Sequence, residues 1–188
     1  MALEEPLAMG LALGYLLLII LEQRIAWFLA ALSAGLYLKI FYDVGLFMEA
    51  SLQVFYIVMA VYGFWVWVWG SNSSGEHLRI QRWPLRLHLL ILAAVLAAGV
   101  GIGLLLARFT EAALPIPDSI TTIGALTTTW MVARKVLENW LWWVGIDLVS
   151  IVLYLERGLE LTALLFAGYV VLALLGWHNW RRLLKAQQ

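Results

Sequence analysis

GLFMEASLQVFYIVMAVYGFWVW, residues 45–67, returns as GLELTALLFAGYVVLALLGWHNW, residues 158–180. Gly45, Leu46, Ala50, Tyr56, Gly63 and Trp67 recur as Gly158, Leu159, Ala163, Tyr169, Gly176 and Trp180, all at one offset of 113 residues. One of these six pairs is tryptophan and another tyrosine, which a composition rich in leucine and alanine does not generate by chance. Upstream, Glu22 and Trp27 find matches in Glu138 and Trp143 at an offset of 116, so the sequence predicts a three-residue length difference between two copies. Both copies are apolar enough to cross a bilayer. An internal duplication in a polytopic membrane protein points to a transporter whose two similar halves rock about a site between them.

The rest of the chain has the same character. Of its 188 residues, 64% are hydrophobic and only 13% charged, with a mean hydropathy of +0.90. A soluble domain of this size has no core large enough to hide so much apolar surface, so the class is all-α and integral to the membrane. The hydrocarbon layer asks for ~20 mainly apolar residues per helix. That ruler predicts seven transmembrane helices, over residues 7–22, 25–42, 46–69, 85–107, 118–136, 139–156 and 158–179. The N-terminus carries two acids and no basic stretch, unlike a cleaved signal peptide. With no cysteine, disulfides and thiolate metal sites are excluded.

Basic residues fix an orientation for this count. Arg24, Arg79, Arg82, Arg86, Arg134, Lys135, Arg181, Arg182 and Lys185 fall on one side of a seven-span chain, and only Lys39, Arg108 and Arg157 on the other. The positive-inside rule then places the N-terminus outside and the C-terminus in the cytoplasm. Three helices copied directly would emerge upside down, because three is odd. The fourth span, which carries no trace of the repeat, restores the orientation. The expected organisation is a three-helix repeat (1–69), a linker with the fourth helix (70–117), and a second three-helix repeat with a cytoplasmic tail (118–188). Ser71-Asn72-Ser73-Ser74-Gly75 reads as a flexible loop before that fourth span, and Pro115-Ile116-Pro117-Asp118 as a stiff external turn after it.

The sixth span carries the chemistry. Trp140, Trp143, Asp147, Ser150 and Tyr154 follow at intervals of 3, 4, 3 and 4, which puts them on one helical face. A carboxylate at bilayer depth costs at least ~2.5–3.5 kcal/mol, so Asp147 is expected to face the bundle or a wet cavity. Two indoles beside it suit a flat, cationic ring, since cation–π attraction adds ~2 kcal/mol when desolvated. The plain alternative is a structural aspartate between packing tryptophans. On the third span, Glu49, Gln53, Tyr56, Ala60, Gly63 and Trp67 form the matching face. Ala60, Gly63, Ala173 and Gly176 read as points of close helix approach. Gln53 is a mid-span amide whose repeat counterpart is Phe166, and breaking the repeat there suits an asymmetric ligand, or else glue between helices. Asn139 is placed to face inward beside Trp140, while Glu138 reads as an interfacial anchor beside Arg134 and Lys135. Thr121, Thr122, Thr127, Thr128 and Thr129 supply hydroxyls that either wet a path or satisfy their own helix. Trp65, Trp69, Trp83 and Trp177 read as belt residues.

Enzyme classes fare poorly. His77, His88 and His178 have no metal-ligand spacing, no nucleotide-binding loop is present, and the last helix holds no mid-span lysine for a retinal. No cofactor, metal or nucleic-acid partner is expected. Few buried acids are available for ion coupling, so a facilitator fits better than a pump. A membrane scaffold or sensor is the competing class.

The string Glu138-Asn139-Trp140-Leu141-Trp142-Trp143-Val144-Gly145-Ile146-Asp147, followed by Tyr154, Gly158 and Leu161-Thr162-Ala163-Leu164-Leu165, resembles the signature of the PnuC family of vitamin transporters. Leu52-Gln53-Val54-Phe55-Tyr56 with Tyr62-Gly63 resembles it in the first half. The similarity covers about 22–69 and 119–182 and fades over the fourth span. It implies a SWEET-like 3+1+3 fold, a homotrimer in the bacterial inner membrane, and facilitated diffusion of nicotinamide riboside, trapped by a cytoplasmic kinase. Relatives within the family carry thiamine, riboflavin or deoxynucleosides. The resemblance implies substrate contacts at Gln53, Tyr56, Asn139, Trp140, Trp143, Asp147 and Tyr154. The family usually has tryptophan after Tyr-Gly. Here Phe64 follows Tyr62-Gly63 and Trp65 comes one position later, which leaves that tryptophan without an assigned role.

Overall fold

The computed structural model describes residues 4–45, 47–70, 78–110, 114–156 and 158–187, with only the backbone of 47–49. The Ser71–Gly75 loop, His77, Arg157 and the Glu49 side chain therefore lie outside the described residues. The described chain is all-α, with seven helices: α1 (Glu4–Ile20), α2 (Ala26–Asp43), α3 (Phe47–Trp69), α4 (Leu85–Phe109), α5 (Pro115–Ala133), α6 (Asn139–Glu156) and α7 (Glu160–Ala186). Three of them, α3 over Ala50–Trp69, α4 and α7, are long and apolar enough to cross a membrane by length and composition alone. The other four run 17–19 residues: α1 is the shortest, and α2, α5 and α6 hold the buried polar groups Ser33, Thr128, Asn139 and Asp147.

Two helix starts and ends differ from the sequence expectation. Pro115–Asp118 is the first turn of α5, not an external turn. Proline is tolerated there because the first N–H groups of a helix have no intrahelical acceptor to lose. Downstream, α7 continues to Ala186, carrying Arg181, Arg182 and Lys185 on helical backbone.

By its internal contacts the chain divides into two units, residues 1–79 with 133–135 and 183–188, and residues 80–132 with 136–182. In the first, α2 packs on both α1 and α3. The Ser33 hydroxyl donates to the Ala8 carbonyl at 2.8 Å, satisfying a buried polar group. The Trp27 ring lies on Gly63, where a Cβ would come within 2.5 Å of it, and meets Trp67 edge-on at 5.6 Å. The Trp67 indole N–H donates to the Ala133 carbonyl at 3.1 Å. Lys135 forms a 2.6 Å ion pair with Glu22, and its ammonium lies 4.7 Å above the Trp67 ring.

The second unit repeats this arrangement. The Trp140 ring lies on Gly176, again with 2.5 Å to a would-be Cβ, and meets Trp180 edge-on at 5.4 Å. Trp27, Gly63 and Trp67 thus correspond to Trp140, Gly176 and Trp180, all at the offset of 113. The turns agree. Glu22 and Lys135 both adopt a left-handed backbone, at φ 57° and 52°, as do Gly45 and Gly158, at 78° and 71°. The Gln23 N–H donates to the Leu18 carbonyl just as Val136 N–H donates to Met131, the six-to-one bond of a Schellman ending. The structure therefore corrects the pairing of Glu22 and Trp27 with Glu138 and Trp143. One register of 113 runs from the end of the first helix to the end of the third, with no length difference.

The fourth helix is more than a spacer within its own unit. A Cβ on Gly99 would come within 2.7 Å of the Ile120 Cα, and one on Gly103 within 2.5 Å of the Ile116 Cα. These two glycines, four residues apart, bring the α4 and α5 backbones into direct contact, the small-residue packing that membrane helices use.

Candidate functional site

The first turn of α6 is an abrupt one. Lys135 closes α5 in a left-handed conformation, the Asn139 N–H returns to the Val136 carbonyl at 3.2 Å, and the helix starts at Asn139. The turn is held by a short bridge to the segment before α4. The Leu137 N–H donates to the Gln81 carbonyl at 2.8 Å, and Gln81 pairs with Val136 in parallel.

On α6 the predicted face is buried as expected of a helix side turned inward. Asn139, Trp140 and Asp147 are 0%, 1% and 4% exposed, and Ser150 is buried with them. Trp143 and Tyr154 are half-buried. Asn139 uses its amide N–H on the Val136 carbonyl at 2.6 Å, but its amide oxygen has no hydrogen-bond partner. The Trp140 indole N–H also has none. A buried acceptor and a buried donor on successive residues are thus both unsatisfied, each a cost of ~1–3 kcal/mol unless something else binds there. At the other end of the face, Tyr154 meets Phe166 at 5.0 Å, and Phe166 meets Tyr169 at 5.4 Å. This aromatic run links α6 to α7.

Gln53 and Tyr56 lie on α3 of the first unit, both half-buried. Their repeat counterparts Phe166 and Tyr169 are the residues that meet Tyr154. The five other predicted positions all belong to α6 in the second unit. Trp140 is committed to packing on Gly176 and Trp180, whereas Trp143 has no such seat among the contacts described.

Glu138 meets the segment that enters α4. Its carboxylate accepts from the Arg82 Nε–H at 2.8 Å and from the Trp83 backbone N–H at 3.3 Å, while Lys135 pairs with Glu22 instead. Sequence reading missed Arg82 and His88 here, since nothing in the spacing of residues 82–88 and 138–142 announces that they meet. The threonines resolve towards their own helix: Thr121, Thr127, Thr128 and Thr129 each donate to a carbonyl three or four residues back. Trp83 is not a free belt residue either, as it packs on Trp130 at 5.2 Å. Among the described residues no group of three or more His, Cys, Asp or Glu side chains is placed to hold a metal.

Comparison with known proteins bears on this geometry. A family model described as nicotinamide mononucleotide transporter matches residues 3–182. The nicotinamide riboside transporter PnuC of Escherichia coli (strain K12) is 24% identical over 185 residues, covering 85% of this chain and 77% of that protein. The riboflavin/roseoflavin transporter RibM of Streptomyces davaonensis is 26% identical over 136 residues, covering 70% and 63%. A crystal structure of the vitamin B3 transporter PnuC superposes with a TM-score of 0.73 at 20% identity, covering 97% of this chain and 82% of that one.

Proposed function

We propose, from the premise that this chain belongs to the nicotinamide mononucleotide transporter family, that it carries nicotinamide riboside into the cell by facilitated diffusion. Family and fold make it a multi-pass membrane transporter and not an enzyme. The substrate and the mode of transport are our reading. One observation carries it: the unsatisfied Asn139 oxygen and Trp140 indole N–H at the start of a buried α6 face. A carboxamide offers one N–H₂ donor and one carbonyl acceptor, the complement of that pair. Trp143 then supplies a π-face for the pyridinium cation, and the Asp147 carboxylate accepts from ribose hydroxyls. Gln53, Tyr56 and Tyr154 are proposed to complete the contacts.

On this reading the substrate gradient is the driving force. A cytoplasmic kinase that phosphorylates the product makes uptake one-way, because the added charge prevents return. In liposomes without kinase or ATP, labelled nicotinamide riboside is expected to equilibrate and stop. Accumulation above the external concentration would refute facilitation. Riboflavin is the second reading, favoured by the likeness to RibM, and thiamine, which also has a cationic ring, is the third. Competition by unlabelled thiamine or riboflavin at equal concentration separates the three.

A SWEET-like 3+1+3 arrangement in a homotrimer of the bacterial inner membrane is part of the same proposal. It is supported by the repeated Trp–Gly–Trp geometry at one offset and by the absence of that repeat from α4. The nine-to-three division of basic residues supports an external N-terminus and a cytoplasmic C-terminus. A C-terminal alkaline phosphatase fusion is expected to be inactive and a fluorescent protein at the same point to glow; the reverse result would overturn the orientation.

A further inference from the structure

Around Glu138 the second unit contains a cluster with no counterpart among the described residues of the first. Its repeat position is Ile25, which is exposed, whereas Glu138 is 9% exposed. The partners of Glu138 come from the segment entering α4, the helix that the repeat lacks. Arg82 Nε–H and the Trp83 backbone N–H both reach its carboxylate. The same segment contacts α6 one turn further on, where the Trp142 indole N–H donates to His88 Nδ1 at 3.2 Å. That bond makes Nδ1 the acceptor and leaves the proton on Nε2, which is buried and has no hydrogen-bond partner. It lies 3.6 Å from the second Glu138 oxygen, too far for a direct bond. With the Gln81–Val136 bridge, made by the Leu137 N–H to Gln81 bond, residues 81–88 hold residues 136–142 at four points.

These contacts enclose the turn from which Asn139, Trp140 and Trp143 project. Glu138, Arg82, His88 and Trp142 themselves lie off the Trp140–Asp147–Ser150 face. We propose that Glu138 is a positioning residue for transport: held by the α4 lead-in, it sets the angle of the first turn of α6 and so the placement of the substrate-bearing side chains. The inference rests on α6 being the substrate-bearing helix, and it gives the unrepeated fourth helix a task beyond restoring orientation. A positioning role follows from the physics of the contact. One charge-assisted bond and one backbone bond on a nearly buried carboxylate define a direction, which a bare helix start does not.

The test uses full-length protein in detergent, with nicotinamide riboside as the probe. Glu138→Gln keeps the shape and the Trp83 bond but removes the charge that Arg82 meets. Arg82→Gln removes the other half from a side chain that is 63% exposed, so the fold does not depend on it. Both are expected to weaken binding by about tenfold, the scale of one lost charge-assisted bond. Amide hydrogen exchange should rise over residues 139–143 and stay unchanged on α7. The double exchange Arg82→Glu with Glu138→Arg should recover most of the affinity. A merely structural role predicts a lower melting temperature and faster exchange throughout, with unchanged affinity in the protein that remains folded, and that result overturns the proposal. If Glu138→Gln does not fold, Arg82→Gln decides by the same two measurements. If wild-type protein binds no nicotinamide riboside, the substrate reading fails by itself. Exchange then judges the clamp alone: a local rise in the variants upholds it, and no rise refutes it.

Discussion

Gly176→Ala is expected to lose ~1–3 kcal/mol of stability, the usual cost of forcing a methyl into a filled site. Its Cβ would sit 2.5 Å from the Trp140 ring, a rigid neighbour that cannot fold away as a flexible chain end does. Gly63→Ala should cost a similar amount by striking Trp27 at the same distance. Gly168 and Gly145 supply the control. A Cβ at either meets nothing within 4 Å, and alanine is the better helix former by ~0.8–1.0 kcal/mol, so both changes should be neutral or stabilising. Thermal unfolding in one detergent compares the four variants directly. A double-mutant cycle isolates the cause: Gly176→Ala should cost less in a Trp140→Leu background than in wild type, because the smaller side chain yields to the new methyl. Should Gly176→Ala melt with Gly168→Ala, the tryptophan seat is not what holds α6 to α7. The paired result at Gly63 also tests the single offset of 113, since the 116 pairing makes Trp143, not Trp140, the counterpart of Trp27.

Trp140→Ala and Trp143→Ala are expected to fail in different ways, although the two residues are one helical turn apart. Trp140 is fully buried on Gly176 and Trp180, and its removal leaves a cavity costing ~3–5 kcal/mol. Much of that variant should be lost during purification. Trp143 is half-buried, so Trp143→Ala should remain folded while binding nicotinamide riboside more weakly by ~1–2 kcal/mol, the scale of a desolvated cation–π contact. Trp143→Phe, which keeps a weaker π-face, should lose less. Asp147→Asn, which keeps shape but not charge, should lose ~1–2 kcal/mol if its carboxylate accepts ribose hydroxyls. Affinity measured beside melting temperature separates packing from recognition. Equal binding by wild type and a well-folded Trp143→Ala would take the Trp143 ring out of the site and remove the cation–π part of the mechanism.

Apolar spacing and the repeat are local properties of the chain, which is why they were legible. Seven helices, the doubling of Gly45–Trp67 in Gly158–Trp180, and the polar stripe on α6 all follow from residue order and helical period. Register across the α1–α2 and α5–α6 turns was not legible. Trp140 and Trp143 are both tryptophans within one turn, and sequence matching chose the wrong one because Glu138 drew the pairing with it. The structure chose Trp140, since only a ring at that position lands on Gly176. Pro115 was misread because its turn preference and its fitness for a first helical turn look alike in sequence.

Sequence by itself determined that this is an all-helical, internally duplicated membrane protein with a polar stripe along α6. Hydropathy and period act over neighbours a few residues apart, and no tertiary contact is needed to express them. Tertiary structure alone decided which side chains meet. Glu138 sits beside Lys135 in sequence, yet it binds Arg82, 56 residues away, while Lys135 reaches 113 residues back to Glu22. The left-handed backbone at Lys135 turns the chain sharply between the two, and a charge leaving water takes whichever opposite charge the fold brings within ~3 Å, whatever its place in the sequence.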